Sequence, residues 1–577
     1  MLKNHKVRII PLGGASDVTK NMYLYELYDG EKLQDILIVD CGIGFPKEKD
    51  LGVELVIPDI SYLQDKTDKI RAILLTHGHE DHISSLKFHY KTLGSPPVYA
   101  TKLTAHFVES QFAQLGQKIK VQQIQYSKDY VFGGFSAYYI HLTHSIPDTA
   151  HIVIKTPIGT LYHGSDYKFD LTPPHQSPPD FYAITKAGHD RVLCLLTDCL
   201  GVERAGITKS ESAIGQTFED NIRDTRGIFM MSTFSSNISR IRQCVEAAAK
   251  YQRKICFLGR SMKQNTTLAE SIGYLPNIKK MLIDEKDINK FAPNKVCLIM
   301  TGSQGQVGSA LSKIAERQHR FIKITRGDKV LFSSDPIPGN EEPVNEMIEK
   351  LAKQGAEVIY SSIQEDLHAS GHASRDEMKL LLHFVKPRFI IPIGGTPRHQ
   401  RRYREMASDM GWSPQDVFTL INGDNVWFER NKVYLGKQIP QRSVYVDAYG
   451  VDKVGNLILR DRKTLAQEGF VFGVVPIYAD FTLCKAPEIS SRGFVDEKTE
   501  KDMYMRVKRL IADSIADFRA KPPAGASKFT LQQTITRKLE HFFLQKDWSP
   551  TSHCSGSSAA GSVKRVKEVI RNKDELK

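Results

Sequence analysis

The sequence predicts an α/β protein built from alternating layers of strand and helix, and three observations carry that expectation. Short apolar, β-branched runs alternate with helical periodicity through most of the chain. Several of these runs break off into turns rich in Gly, Ser, His or Asp, the position at which α/β sheets carry their sites. The composition suits folded domains: 577 residues, 41% hydrophobic and 25% charged, which excludes a collagen, a wholly disordered chain and a disulfide mini-protein. At roughly 150 residues per domain the length corresponds to three or four domains.

Taken in order, a first strand is expected over 7–12, where an apolar run follows a short polar start. Buried strands follow over 36–39 and 72–75, then over 135–141, 151–154, 160–162 and 192–196. The alternation continues with a strand over 227–231, a helix over 238–251, and strands over 255–258 and 296–300. A later strand over 389–393 ends in Gly394-Gly395. From Val446 the period changes. A β-rich segment (457–459, 470–475) precedes two amphipathic helices over 501–518 and 531–544. Residues 549–562 are rich in Ser, Gly and Ala and read as a linker, and 563–577 as a short basic helix or a frayed tail. No internal repeat is present.

The eight cysteines are scattered without a C-x-x-C pair, so a reduced, buried set is expected rather than zinc fingers or disulfides. No run of about 18 apolar residues occurs, which excludes a membrane-spanning helix. The start lacks a signal-peptide core, and the Lys-Asp-Glu-Leu near the end is followed by Lys577, so a cytoplasmic location is expected. The net charge of +13 favours a polyanionic partner. Residues 504–577 hold fifteen Lys/Arg and seven Asp/Glu, so 15 − 7 = +8 lies in that stretch, as an electrostatic handle for nucleic acid would.

The strongest local signal is Leu74-Leu75-Thr76-His77-Gly78-His79-Glu80-Asp81-His82. Three imidazoles and a carboxylate crowd one strand end, where unpaired they would cost desolvation energy. A divalent metal supplies the reason, and zinc or manganese suits such donors. His77 and His79 alternate and can face one ion; Asp81 and His82 lie one step on and can serve a second.

This string resembles that of the metallo-β-lactamase superfamily, an αββα sandwich holding one or two metals. The superfamily takes two further ligands from later strands. Here His144 follows the strand over 135–141, and Asp166 follows the strand over 160–162. Taken alone, either is as readily a core polar group as a ligand. The resemblance implies that His77, His79 and His144 hold one ion, Asp81 and His82 the other, and that Asp166 bridges them.

A narrower resemblance runs from about Val7 to Leu544. Its segments, in chain order, are Gly13-Gly14 through Lys20-Asn21-Met22, then residues 51–60, His144-Ser-Ile-Pro-Asp148 and Ser232-Thr-Phe-Ser-Ser-Asn237. Gly259-Arg-Ser-Met262, Thr301-Gly-Ser-Gln-Gly305, residues 335–341, His368-Ala-Ser-Gly-His372, Arg460-Asp-Arg462 and Ser491-Arg-Gly-Phe494 complete it. This order is similar to the bacterial ribonuclease J family of β-CASP nucleases. It implies a metallo-β-lactamase domain in two parts (1–205 and 362–445) around an inserted β-CASP α/β domain (206–361). A small α+β domain (446–548) and a flexible basic tail (549–577) would follow.

Phosphodiester hydrolysis needs hydroxide near neutral pH, compensation of the charge growing on the phosphorane, and a proton for the leaving 3′ oxygen. The resemblance assigns these tasks to two divalent ions, zinc first and manganese as the competitor. Asp81 would orient the attacking group. His372 would donate to the scissile phosphate or the leaving group. Asp198 would orient a neighbour, although Asp198-Cys-Leu-Gly stands where the family reads Asp-Ser-Thr-Asn. Ser235, Ser236 and Asn237 lie between a strand and a helix. Their position suits either a phosphate on the helix N-terminus or a plain N-cap. In the family pattern these three, with His368, Ala369, Ser370, Gly371 and His372, seat the substrate and its 5′-monophosphate end. A 5′→3′ exonuclease is thereby implied, with endonucleolytic cutting open where RNA threads past the pocket.

One departure concerns the second ion. The family places a histidine ligand after Pro392-Ile393, and this chain has Gly394, with His399 further on. Water in that place, His399 swinging in, and a weaker second ion are the three outcomes. Six protein ligands are expected. The activity implied is RNA maturation and decay, by a homodimer or homotetramer with other decay proteins and no membrane. The competing readings are an RNA-binding scaffold with a weakened second metal site, a small-molecule hydrolase of the same superfamily and a DNA-directed β-CASP nuclease.

Overall fold

The computed structural model describes residues 4–47, 50–337, 340–364, 366–447, 450–451, 455–494, 500–544 and 567–569. The chain divides into two compact units, Met1–Phe45 with Leu55–Val444, and Pro46–Glu54 with Tyr445–Lys577.

The first unit contains an αββα sandwich. One sheet has eight strands in the order Val433–Leu435, Val426–Phe428, His5–Gly13, Met22–Asp29, Lys32–Val39, Ile70–Leu74, Val98–Ala100 and Val121–Gln123. The facing sheet has six, in the order Phe389–Ile393, Val192–Asp198, Gly159–Gly164, Thr149–Thr156, Phe135–Leu142 and Tyr130–Phe132. Strand alternation builds the layers, because successive side chains point to opposite faces. Leu37, Val39, Ala72 and Leu74 of the first sheet meet Tyr139, Ile152, Ile154 and Leu196 of the second in the central core. Their neighbours Ile36, Ile38 and Ile73 turn outward with Leu103 and Phe107 of the helix Lys102–Gln114. Ile140, Leu142, Val153 and Leu195 turn outward beneath the helices Phe181–His189, Arg375–Val385 and Pro397–Asp409. Strands buried on both faces read as continuous apolar runs, which is why the sequence announces them.

Between Val192–Asp198 and Phe389–Ile393 the chain leaves the sandwich to form a five-stranded, all-parallel sheet. Its order is Lys254–Leu258, Val296–Met300, Phe229–Ser232, Lys329–Phe332 and Glu357–Ile359. Helices cover both faces, as parallel sheets require. The loops after Ser232 and Phe332 leave the carboxyl ends of their strands.

In the second unit, helices Lys501–Ala520 and Lys528–Leu544 pack Val507, Ile511 and Ile515 against Leu531, Ile535 and Leu539, with Val471 and Val475 beside them. Arg462 joins the segment Pro46–Glu54 to this unit through the Leu51 carbonyl (3.0 Å) and also pairs with Asp447 (3.2 Å). The strand expected over 457–459 is instead the start of a helix, Asn456–Glu468. Leu-Ile-Leu is too short to define a period, and the helix-forming stretch that follows decides the conformation until Gly469 ends it with φ 69°. The linker expected over 549–562 lies outside the described residues. Of the tail only Lys567–Val569 is described, as a strand parallel to Phe470–Val474 rather than a helix. The seven described cysteines are free thiols. Among the described residues no helix is long and apolar enough to cross a membrane.

Candidate metal centre

The strand Ile70–Leu74 delivers Thr76 and His77 to the sheet edge, and a one-turn helix, Glu80–Ile83, begins directly after His79. That turn brings Asp81 and His82 back towards His77. The carboxylate holding the loop is Asp40, just past the end of Lys32–Val39 and fully buried at φ 60°. It accepts from the Thr76 amide (2.8 Å), the Thr76 hydroxyl (2.8 Å) and His82 Nδ1 (2.7 Å). His144 arrives from the end of Phe135–Leu142 and Asp166 from the end of Gly159–Gly164.

Hydrogen bonds behind the rings fix which nitrogen faces the cleft. His144 Nδ1 donates to the Gly371 carbonyl (2.5 Å), leaving Nε2 with a lone pair. His77 Nδ1 rests on the Thr76 hydroxyl (3.0 Å), which itself donates to Asp40, so Nε2 is again the free acceptor. His79 Nδ1 lies 3.1 Å from both His77 Nε2 and His144 Nε2. Donors on a tetrahedral ion with bonds near 2.0 Å stand about 3.3 Å apart. A carboxylate oxygen of Asp166 completes this group, and Asp81, His82 and Asp166 form a second. His82 Nε2 is 3.3 Å from Asp166 and 3.6 Å from Asp81. Such backing of each ring is what a metal ligand requires.

The electrostatics agree. Burial lowers His79 to about 3 and, helped by the neighbouring imidazoles, holds His77 and His144 well below the ordinary histidine value. These rings are neutral and available as ligands. Burial pushes the Asp81 carboxyl up to about 6, so a cation is needed to keep it ionised at lower pH. Four carboxylates, Asp40, Asp81, Asp166 and Asp198, converge here; burial works against a charged His82, but Asp166, Asp81 and Asp40 outweigh it and raise that ring well above the ordinary histidine value. The donor set therefore fits two divalent ions.

On the far side of the cleft, His372 Nδ1 bonds the Asp198 carboxylate (2.8 Å) and its Nε2 lies 3.9 Å from Asp166. Burial works against the imidazolium, but Asp198 and Asp166 outweigh it and raise His372 to about 9. The loop carrying His372 is tied down throughout. Ser370 accepts from the His372 amide (3.1 Å), and the His372 carbonyl accepts from Arg204 (2.9 Å) and Thr208 (3.0 Å). Arg240 donates to His368 Nδ1 (2.9 Å). A guanidinium cannot accept, so His368 is a neutral ring with its proton on Nε2.

Ser235, Ser236 and Asn237 open the helix Ile238–Lys250. Asn237 caps it through the Arg240 amide (3.2 Å), and Asn265 donates to the Ser235 hydroxyl (3.2 Å). The N-cap reading therefore holds for the Asn237 side chain, while the hydroxyls of Ser235 and Ser236 remain half-buried at the helix mouth.

Gly394 borders this centre: a Cβ there would sit 3.6 Å from Asp198 and 3.7 Å from Asp166. The backbone is left-handed at this point (φ +65°). His399 is engaged away from Asp166 in this structure. Its Nδ1 accepts from the Thr396 amide (3.2 Å) as part of the capping box of helix Pro397–Asp409, and its Nε2 faces Glu203 (3.7 Å). Asp40, Arg204, Glu211 and Arg240 escaped the sequence reading. Only Asp40 carried a signal, an acid directly after the apolar strand over 36–39.

Comparison with known families and structures follows the same chain order. The metallo-β-lactamase superfamily matches residues 17–184 and the ribonuclease J β-CASP domain residues 226–351. The Zn-dependent metallo-hydrolase RNA specificity domain matches 358–418, and the ribonuclease J C-terminal domain 457–547. The fold and the donor set thus define a metal-dependent hydrolase of the metallo-β-lactamase superfamily with an inserted β-CASP domain. The chain is 34% identical over 543 residues to Ribonuclease J2 of Bacillus subtilis, covering 94% of this chain and 96% of the relative. It is 34% identical over 550 residues to Ribonuclease J 1 of Streptococcus pyogenes, again with 94% and 96% covered. Among solved structures, a protein of unknown function from Enterococcus faecalis V583 shares the fold at TM-score 0.53 and 13% identity, covering 73% of this chain and 100% of that one. The chain belongs to the ribonuclease J family. It is a metal-dependent ribonuclease, and RNA is its substrate.

Proposed function

We propose that this ribonuclease degrades RNA in the 5′→3′ direction, prefers a 5′-monophosphate end, and cuts internally where RNA threads past the end pocket. The observation that carries this reading is the continuity of the His368–His372 loop. At one end it bonds Arg240, one turn from Ser235–Asn237; at the other, Gly371 and His372 bond His144 and Asp198. A terminal phosphate seated at the former lies a fixed distance from the latter.

When bound, two divalent ions, zinc or alternatively manganese, activate water and offset charge on the phosphoryl oxygens. His77, His79, His144 and Asp166 would hold one, and Asp81, His82 and Asp166 the other. The chain's own groups do the rest. Asp81 accepts a hydrogen bond from the attacking water and aligns it. His372 carries a proton on Nε2, held there by Asp198 on the opposite nitrogen, and gives it to the departing 3′ oxygen. His368, whose Nε2 lies 3.8 Å from Asp335, lines the seat of the terminal phosphate together with the hydroxyls of Ser235 and Ser236. RNA maturation and decay in the cytoplasm, by a homodimer or homotetramer with other decay proteins, is the setting this activity suits.

End-labelled RNAs of one sequence with 5′-monophosphate, 5′-triphosphate and 5′-hydroxyl ends test the reading. The monophosphate form should be consumed fastest, with mononucleotides released from the 5′ side. Equal rates for the three ends would refute it.

A further inference from the structure

Arg240 is completely buried at the first turn of the helix Ile238–Lys250. Its guanidinium donates to both carboxylate oxygens of Glu211 (2.8 and 2.9 Å) and to the carbonyls of Ser333 (2.6 Å) and Ala369 (3.1 Å). It also donates to His368 Nδ1 (2.9 Å). Glu211 is shared with the equally buried Lys168 (3.3 Å), two residues beyond Asp166. The Arg240 backbone amide is the group that Asn237 caps (3.2 Å).

Buried ion pairs are poor sources of stability, since apolar residues of similar volume often serve a core as well. What a planar guanidinium fork supplies is geometry: its donors fix several acceptors at set angles and distances. Here those acceptors lie on the inserted domain (Glu211, Ser333) and on the loop that continues into His372 (His368, Ala369). Each step from the Ser235–Asn237 turn to His144 and Asp198 is then a direct hydrogen bond or one to four residues of backbone.

We propose that Arg240 is the positioning residue that sets the register between the seat of the RNA 5′ end and the metal centre. The proposal rests on the 5′-end reading above. Without the fork, the end pocket and the metal centre both persist, but their separation is no longer fixed. The terminal phosphate then stops accelerating cleavage. RNA that lacks this phosphate has nothing to lose.

The test compares the wild-type protein, Arg240→Lys and the double variant Arg240→Met/Glu211→Met. The double variant removes the Arg240–Glu211 pair together and leaves Lys168 to Asp170 alone (3.6 Å); Arg240→Lys keeps the charge without the fork. Metal content and melting temperature are measured beside kcat/KM on 5′-monophosphate and 5′-hydroxyl RNA. In both variants the 5′-hydroxyl rate should stay within about threefold of wild type, while the ratio of the two ends falls to within about twofold of one. A wild-type ratio retained by either folded, metal-loaded variant overturns the proposal. So does an equal fall on both RNAs, which marks a general structural role. If the double variant does not fold, Arg240→Lys carries the same decision. Absence of any end preference in the wild type refutes the 5′-end reading itself, visible before any variant is made, and the proposal falls with it.

Discussion

Asp198 and His372 meet at 2.8 Å, carboxylate to Nδ1, although 174 residues and the whole inserted domain separate them in the chain. Asp198 is fully buried at the end of its strand and also accepts from the Leu200 amide (2.8 Å), so it has no freedom to turn. The ring of His372 is thereby oriented with Nε2 towards the cleft.

Replacing Asp198 by Asn keeps the size but removes the charge that holds His372 protonated. We expect kcat to fall by about 10²-fold, the scale of general acid catalysis, with KM and metal content little changed. Steady-state kinetics with metal analysis checks this. An unaltered kcat would remove His372 as the proton donor.

Asp81→Ala should reduce hydrolysis by about 10³-fold while RNA binding survives, because Asp81 lies at the reacting centre and not in the end pocket. Gel-shift and cleavage assays on the same preparation separate the two properties. Wild-type turnover would show that Asp81 has been given the wrong role.

Gly394→His places an imidazole beside Asp166 and Asp198. The left-handed backbone makes this substitution strained by about 1 kcal/mol, a cost His tolerates better than most residues. The variant should lose its second equivalent of metal more slowly during dialysis against a chelator. Identical loss rates would mean that position 394 does not complete the second site.

His89 lies away from the metal centre, and burial lowers it to about 4 from an unfolded value of 6.5. A depressed histidine means that the unfolded chain takes up a proton the folded one refuses. Its contribution is therefore intact above pH 6.5 and is lost as pH falls towards 4, by about 2 kcal/mol at pH 5. His89→Gln, which does not titrate, should flatten the pH dependence of the urea midpoint in this window. Parallel profiles for both proteins would contradict the assignment.

The buried strands were legible because sheets covered on both faces demand unbroken apolar runs. His77 to His82 was legible because its chemistry is contiguous. His144, Asp166 and His372 became legible only through their order after that string. Asp40, Glu211 and Arg240 were not, since the partners that give them meaning lie far away in sequence. Arg240 reads locally as one more charge on an amphipathic helix. The helix Asn456–Glu468 was misread because three apolar residues carry no period. The segment Pro46–Glu54 joins the second unit through Arg462, a contact that local pattern does not announce.

Imidazoles and carboxylates at adjoining strand ends are the groups that can bind the divalent ions RNA hydrolysis requires. The most direct measurement is cleavage of labelled RNA by protein stripped with a chelator, assayed before and after zinc or manganese is restored, with bound metal counted at each stage. The stripped protein should be inert, and activity should return as up to two equivalents bind. Full hydrolysis by metal-free protein, or none after both metals have been tried, would contradict the account.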